Sequence, residues 1–164
     1  MTVIVVMGVS GAGKTTIGTA VAEGLGVEYA EADTFHPPAN IAKMTAGHPL
    51  TDADRAPWLV AIAKWIAEHA ETGGVVSSSA LKRSYRDVLR SGGPVWFLHL
   101  HGARELLAER MKTRSGHFMP ASLLDSQLAD LEPLQPDEPG RTFDLAQRPA
   151  DLVAAALTAF RERR

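Results

Sequence analysis

The sequence of 164 residues contains no cysteine, which excludes disulfide bridges and thiolate metal sites. This absence fits a reducing compartment, so we expect a cytoplasmic protein. No apolar run is long enough to cross a bilayer, and no membrane partner is expected. The charges almost cancel, to a formal net charge of -2, so a broad basic surface is absent and nucleic acid is not expected as the principal partner.

The composition is that of one globular domain covering residues 1–164. Hydrophobic residues make up 45% and charged residues 22%, which argues against extended disorder. Strands are predicted at residues 3–7, 27–32, 75–78, 95–100 and 142–145, and helices at 14–25, 39–44, 80–90, 103–113 and 149–163, with a long helix after Thr51. This alternation predicts an α/β fold with a parallel sheet covered by helices on both faces.

The stretch Gly8-Val9-Ser10-Gly11-Ala12-Gly13-Lys14-Thr15 follows the first predicted strand directly. It matches the pattern G-x-x-x-x-G-K-[ST], whose glycines let the backbone curl round an anion with its N–H groups pointing inward. Lys14 reaches the outer phosphates, the Thr15 hydroxyl is placed to ligate magnesium, and the next helix adds the partial positive charge of its N-terminus. We therefore predict a nucleoside triphosphate site formed by Gly8, Ser10, Gly11, Ala12, Gly13, Lys14, Thr15 and Thr16.

A phosphate loop does not identify the group that receives the phosphate. Because the chain is short and carries a proline-rich insert before its last strand, a small-molecule kinase is favoured over a large switch GTPase. Glu31 and Asp33 lie two residues apart on the predicted second strand, so both should point to one side near the carboxyl edge of the sheet. We predict that Asp33 accepts the proton of the attacking hydroxyl and that Glu31 holds magnesium through water. Solvated carboxylates at a strand end are the alternative.

Several basic residues follow predicted strands and are candidates for binding an anionic acceptor. They are Arg55, Lys82, Arg83 and Arg86. The planar fork of arginine suits a carboxylate. A solvated surface cation is the favoured interpretation of each residue taken singly, whereas the four together favour a binding site. His36 is a candidate donor to an acceptor hydroxyl, with packing beside the two following prolines as the alternative.

Residues 114–140 carry several prolines and little apolar periodicity, so we predict a mobile lid there rather than a packed element. Arg114 is predicted to swing onto the phosphates when the lid closes, and Arg110 to do the same from the end of the preceding helix. Trp58 and Trp65 are predicted to be core residues. His99 and His101 alternate along a strand without a third ligand nearby, so no metal site is assigned to them.

The motifs taken in order resemble those of the gluconate kinases. The resemblance rests on the phosphate loop, residues 33–44 (D-T-F-H-P-P-A-N-I-A-K-M), 49–55 (P-L-T-D-A-D-R), 79–87 (S-A-L-K-R-S-Y-R-D) and 116–120 (G-H-F-M-P). It implies transfer of the γ-phosphate of ATP to the 6-hydroxyl of D-gluconate with Mg²⁺. It also implies a three-layer P-loop kinase fold with a five-stranded parallel sheet of order 2-3-1-4-5 and a lid, similar to shikimate and nucleoside monophosphate kinases, and a cytoplasmic homodimer.

Carried over by position, the resemblance assigns Asp33 to the acceptor-side carboxylate and Arg114 to the lid arginine. It implies a gluconate site made by His36, Asn40, Arg55, Lys82, Arg83, Arg86 and His117, and adenine contacts near Gln147. One departure is Glu31-Ala32-Asp33, where relatives tend to have Asp-Gly-Asp. Two alternatives stay open at this point: a kinase for another small acid such as shikimate, and a module that binds ATP without turnover.

Overall fold

The computed structural model describes residues 1–113 and 121–163. Within these ranges the chain forms five strands and seven α-helices: β1 Val3–Met7, α1 Lys14–Leu25, β2 Glu28–Glu31, α2 Pro38–Thr45, α3 Asp52–Glu68, β3 Gly74–Ser77, α4 Arg83–Arg90, β4 Val95–His101, α5 Arg104–Thr113, α6 Ala121–Asp130, β5 Gly140–Asp144 and α7 Pro149–Glu162. Among these helices, none combines the length and the apolar character needed to span a membrane.

The strands form one parallel sheet in the order β2-β3-β1-β4-β5, which confirms the order implied by the family resemblance. In the central strand β1, Val5 pairs with Val76 of β3 on one side and with Phe97 of β4 on the other. Every residue of β1 is buried, because a strand covered on both faces places apolar side chains on both. The carboxyl ends of all five strands lie along one edge, where ligands bind in open α/β sheets.

Helices cover both faces of this sheet, as the sequence predicts. On one face, Ile17 and Val21 of α1 and Phe160 of α7 pack into the core. On the other face, Trp58 and Trp65 of α3 are only 6% and 8% exposed, which confirms that both are core residues. Burying side chains of this size contributes about 1.5–3 kcal/mol each. The apolar stripe of α1 therefore fixes the position of its N-terminus at the carboxyl edge of β1.

Helix α4 begins three residues later than the sequence predicts. Ser79 does not cap it, since the helix starts at Arg83 and Ala80 adopts a left-handed conformation with φ of 46°. Tertiary contacts explain this later start. The Arg86 guanidinium donates to the Ala80 carbonyl at 2.9 Å, and the Glu132 carboxylate accepts the N–H of Arg83 at 2.9 Å. A cap supplied from 49 residues away replaces the local one.

The described part of the predicted lid is packed against the core. Residues 121–130 form α6, and Leu124 on this helix is fully buried in the main cluster. Farther along, the Glu138 side chain is fully buried and lies 2.6 Å from Arg86. Residues 121–140 therefore contain packed side chains, unlike the expected segment without a packed element, because side chains at wide spacing reach partners elsewhere in the chain. The mobility of this segment stays a prediction. Residues 114–120 lie outside the described ranges.

Replacing Glu138 by glutamine is expected to lower the free energy of unfolding by about 3–5 kcal/mol, because it leaves the buried Arg86 charge uncompensated. Urea unfolding at pH 7 measures this loss. The matched control is Asp137→Asn, which breaks an exposed pair with Arg83 and should cost less than about 1 kcal/mol. Similar losses in the two variants would contradict a structural role for the buried pair.

Candidate active site

The loop between β1 and α1 forms a phosphate nest. Gly11 and Gly13 adopt positive φ values of 84° and 87°, which favour glycine. At Gly8, a Cβ would lie 2.7 Å from a carbonyl oxygen of β4, so only glycine fits. The Lys14 side chain folds over the loop, and its Nζ donates to the carbonyl oxygens of Gly8 and Val9 at 2.9 and 3.0 Å. The loop thus has the curled backbone and the cation that a phosphate site needs.

Glu31 ends β2 beside this nest and is held by three hydroxyl groups. The Thr15 Oγ1 donates to Glu31 at 2.6 Å, the Tyr29 hydroxyl at 2.8 Å and the Ser77 Oγ at 3.0 Å. Burial opposes ionisation of Glu31, but these hydrogen bonds outweigh it and lower its pKa below the usual value. A Cβ on Gly18 would lie 2.6 Å from the Tyr29 ring, so this glycine makes room for the tyrosine. The longer Glu31 side chain therefore still reaches the predicted magnesium ligand Thr15.

Asp33 does not lie on β2 as predicted. The strand ends at Glu31, and residues 32–35 form a 3-10 turn in which Asp33 is exposed. The alternation of side chains along a strand therefore cannot be used to place Glu31 and Asp33 on the same side of the sheet. Both still occupy the carboxyl edge, and Asp33 lies close enough to His36 for its charge to act on the imidazole.

His36 is fixed by contacts on two sides. Its ring stacks on Trp58 with centroids 4.2 Å apart and an angle of 11°, and its Nδ1 lies 3.2 Å from the Asn40 Nδ2. The Asn40 Nδ2 also donates to the Asp54 carbonyl at 2.9 Å, which identifies it as the amide nitrogen. His36 Nδ1 is then the acceptor, so the neutral ring carries its proton on Nε2. Asn40 is 3% exposed and contacts His36, and its predicted contact with the acceptor stays a prediction.

Burial lowers the pKa of His36, the Asp33 charge raises it and the Arg55 charge lowers it. The net direction is downward, which keeps the ring neutral near pH 7. A neutral ring with a proton on Nε2 can donate one hydrogen bond to a hydroxyl. Trp58 brings Asp33, His36 and Arg55 into one neighbourhood: it stacks on His36, donates its Nε1–H to the carbonyl of Ala32 at 2.7 Å, and follows Arg55 by three residues on α3.

Arg55 and Lys82 flank the ring of Tyr85. Their charged groups lie 5.5 and 5.6 Å from the ring centroid, and the Arg55 Nη1 donates to the Tyr85 hydroxyl at 3.0 Å. That hydroxyl donates to Asp52, which also lies 3.6 Å from the Lys82 Nζ. Two cations share one carboxylate, and both are partly exposed. Because both cations are partly exposed, their remaining donors can bind an anion.

Arg86 is a structural residue, and its prediction as an acceptor-binding cation is wrong. Its side chain is fully buried. Nε and Nη2 donate to Glu138, Nη1 donates to the carbonyls of Ala80 and Leu81, and Nη2 also donates to the Pro133 carbonyl. All five N–H donors of a guanidinium are thereby used inside the protein. No donor remains for a ligand.

Arg83 is largely engaged by its own neighbours. Its guanidinium donates to Asp87, Gln135 and both carboxylate oxygens of Asp137 at 2.8–3.2 Å. A carboxylate ligand would compete with these acceptors. The role of Arg83 in binding the acceptor stays a prediction, with less geometric support than that of Arg55 and Lys82.

Arg110 lies beside the nest. A Cβ atom added to Gly13 would be 3.9 Å from the Arg110 Nη1. Its Nη2 donates to the Leu145 carbonyl at 2.8 Å. Gln147 donates to the Asp144 carbonyl at 3.2 Å in the loop after β5. Their nucleotide roles stay predictions. Arg114 and His117 lie outside the described residues.

Sequence reasoning missed four contributors to this site. Tyr29 and Ser77 hold Glu31, Tyr85 lies between the acceptor-side cations, and Gln127 contacts Ser10 of the nest. The segment around Tyr85 was part of the family resemblance, which could have pointed to that residue. No local signal marks Gln127, whose partner is 117 residues away.

His99 lies on β4, paired in register with Met7 of β1, and is 2% exposed. Its Nε2 and the Ser78 Oγ are buried and have no hydrogen-bond partner among residues 1–113 and 121–163. Burial lowers the pKa of His99 to about 4, assisted by the neighbouring His101 and by the positive charges of Arg86 and Lys14. The ring is therefore neutral in the folded protein at pH 7.

Acidification is expected to destabilise the protein through His99. Its folded pKa lies below the unfolded value of about 6.5, so the stability present above pH 6.5 is lost as the pH falls towards 4. The full shift corresponds to about 3 kcal/mol. Urea unfolding between pH 7 and 4.5 should show a flatter pH dependence for His99→Met than for wild type. His48→Gln, at an exposed position, is the control. The same slope in His99→Met and wild type would contradict this assignment.

The fold and the nest define the class of this protein. A parallel sheet of order 2-3-1-4-5 with a G-x-x-x-x-G-K-T nest after its central strand is that of a P-loop kinase. In agreement, the family model "Shikimate kinase" matches residues 10–132.

Individual relatives narrow this class. The gluconokinase of Gluconobacter oxydans is 54% identical over 139 residues, covering 83% of this chain and 78% of that protein. A gluconokinase structure from Sinorhizobium meliloti superimposes with a TM-score of 0.90 at 50% identity, covering 98% of this chain and 91% of the other. An unliganded sugar kinase from Janibacter gives a TM-score of 0.91 at 55% identity, covering 98% and 95%. The chain belongs to the gluconokinase family.

Proposed function

We propose that this protein transfers the γ-phosphate of ATP to the 6-hydroxyl of D-gluconate. One observation carries the proposal: the phosphate nest and a cluster containing Asp33, His36 and Arg55 lie at the same edge of one sheet. The nest supplies the site for the donor, and the cluster supplies a carboxylate, a neutral imidazole and a cation for a hydroxylated acid. Membership of the gluconokinase family supports the choice of acid.

Phosphoryl transfer depends mainly on positioning and on cations around the migrating group. Lys14 exchanges the loop carbonyls for phosphate oxygens when ATP binds. Asp33 accepts the proton of the attacking hydroxyl, and the His36 Nε2–H donates to a hydroxyl of the sugar acid and orients it. Arg55 and Lys82 bind the carboxylate end. Arg110 and Arg114 are predicted to contact the phosphates, and His117 is predicted to contact gluconate.

Magnesium is the expected metal, and the residues beside the nest fit it. Mg²⁺ takes oxygen ligands and keeps several waters. The Thr15 hydroxyl would be a direct ligand, and the Glu31 carboxylate, 2.6 Å from that hydroxyl, would hold a metal-bound water. The bound ion would neutralise phosphate charge. Tyr29 and Ser77 keep the Glu31 carboxylate in place.

An ADP-release assay with the purified protein, ATP and a panel of acids tests the proposed function. We expect turnover with D-gluconate far above that with shikimate or other sugar acids. Preferential turnover of shikimate would contradict the substrate assignment. Tight ATP binding without turnover of any acid would favour a non-enzymatic nucleotide-binding module.

Replacing Lys82 by alanine is expected to raise the KM for gluconate about tenfold with a smaller change in kcat, because one charge-assisted contact with the carboxylate is lost. The matched comparison is Arg83→Ala, which should raise KM less, since Asp87 and Asp137 already hold that guanidinium. Steady-state kinetics with gluconate as the varied substrate measures both. A larger effect at Arg83 would reverse the ranking of the two cations.

A homodimer in the cytoplasm is the remaining expectation from the family resemblance. Sedimentation of the purified protein tests the assembly, and cell fractionation tests the location.

A further inference from the structure

Gln127 joins two parts of the chain that are 117 residues apart. It lies on α6, the helix that follows residues 114–120, and its amide meets Ser10 in the phosphate nest. Its Oε1 accepts the N–H of Ser10 at 2.8 Å, and its Nε2 donates to the Ser10 Oγ at 3.2 Å. One side chain therefore engages both the backbone and the hydroxyl of one nest residue.

An amide suits this pairing, because it presents an acceptor to the N–H and a donor to the hydroxyl oxygen of Ser10. An ionised carboxylate could accept from both groups of Ser10, but it would add a negative charge beside the nest. Other N–H groups of the loop are also used inside the protein, since Gly8 donates to the Ser79 carbonyl and Ala12 to that of Val9. Gln127 thus contributes to the network that holds the loop in its curled shape.

Helix α6 is itself firmly placed. Leu124 is fully buried in the core. Just beyond the helix, Glu132 donates its N–H to the Leu81 carbonyl at 2.7 Å and accepts the N–H of Arg83 at 2.9 Å. Leu81 and Arg83 flank Lys82, one of the acceptor-side cations. The chain therefore contacts the nest through Gln127 on α6 and the acceptor-side segment through Glu132, two residues after the helix ends.

We propose that Gln127 is a positioning residue for the nucleotide, whose amide fixes Ser10 at the rim of the nest and orders the loop before phosphates bind. The proposal rests on the proposed function only in that the nest binds a nucleotide. Without the amide, the loop is ordered at the moment of binding, and the entropy cost of that ordering reduces affinity.

Calorimetric titration with ADP and with a non-hydrolysable ATP analogue, in the absence of gluconate, tests this role directly. Gln127→Ala should bind both about tenfold more weakly, about the net worth of one hydrogen bond. Gln127→Glu should bind the triphosphate more weakly still, because it places a negative charge at the rim of an anion site. The matched controls are Ser126→Ala and Ser126→Glu, at an exposed position on the same helix, which should stay within about twofold of wild type because solvent and salt screen that charge.

Unchanged nucleotide affinity in folded Gln127→Ala, or equal losses in Gln127→Glu and Ser126→Glu, would overturn the proposal. A melting temperature without nucleotide is measured alongside, since a role in packing alone lowers it and leaves the dissociation constant unchanged. If Gln127→Ala fails to fold, Gln127→Met keeps the length of the side chain without the amide and should still weaken binding; unchanged affinity there would overturn the proposal too. Wild-type protein that binds nucleotide but does not phosphorylate gluconate would contradict the proposed function and leave the role of Gln127 standing.

Discussion

The Lys14→Ala variant is expected to lose about a hundred- to a thousandfold in kcat for gluconate phosphorylation, the usual effect of removing one group that stabilises transition-state charge. Lys14 lies over the nest with its Nζ on the carbonyls of Gly8 and Val9. These contacts keep the cation within the loop that receives the phosphates. An ADP-release assay at saturating ATP and gluconate measures the loss.

Two further variants test whether the loss of kcat is specific to the ammonium group of Lys14. Lys64→Ala removes a cation from an exposed position on α3 and should leave kcat unchanged. Lys14→Arg should not restore activity, because a planar guanidinium does not replace a compact ammonium in a closed loop. Near-normal kcat in Lys14→Ala, together with a lowered melting temperature, would instead assign Lys14 to stabilising the loop through its two carbonyl contacts.

The first strand, the nest and α1 could be predicted from the sequence because their determinants are local. The bounds Val3–Met7 and Lys14–Leu25 are the predicted ones. An apolar β-branched run, a glycine pattern and a Lys-Thr pair follow one another without interruption. The cap of α3 is local as well: the Thr51 hydroxyl accepts the N–H of Asp54, and the Asp54 carboxylate accepts that of Thr51.

The start of α4 and the packing of residues 121–140 could not be predicted, because distant partners decide both. Glu132 caps α4 from 49 residues away, and Glu138 neutralises Arg86 from 52 residues away. A run of basic residues looks the same in sequence whether its members are exposed or buried. Only the folded structure shows that Arg86 is buried with Glu138, whereas Lys82 is partly exposed.

In the candidate active site, too, local features were predicted and features set by tertiary contacts were not. The residue types of the acceptor cluster were predicted, but the strand period was extended past the end of β2, so the orientation argument for Asp33 failed. The 3-10 turn at residues 32–35 interrupts that period one residue before Asp33. Ser77 was missed as a support of Glu31 because it meets the carboxylate across the β2–β3 pair. Tyr29 was missed although it lies on β2 only two residues before Glu31, because nothing in the sequence shows that its hydroxyl reaches the carboxylate. Local patterns thus identify which residues carry chemistry, and tertiary contacts decide which of them remain available.

Replacing Asp33 by asparagine is expected to reduce kcat by about a hundred- to ten-thousandfold, the range for removal of a general base. The substitution keeps the size of the side chain and removes its capacity to accept the hydroxyl proton. Because Asp33 lies on the exposed turn after β2, outside the nest, the affinity for ATP should stay unchanged. Steady-state kinetics gives kcat and the KM for gluconate, and calorimetry gives the nucleotide dissociation constant.

Asp151→Asn provides the matched control, since it neutralises a carboxylate that pairs with Arg148 on the exposed side of α7. It should leave kcat and both affinities unchanged. A loss of ATP affinity in Asp33→Asn equal to the loss of kcat would place Asp33 on the nucleotide side of the site. A raised gluconate KM with normal kcat would instead make it a binding residue, because a group that accepts a proton in the transition state affects the chemical step and not binding alone.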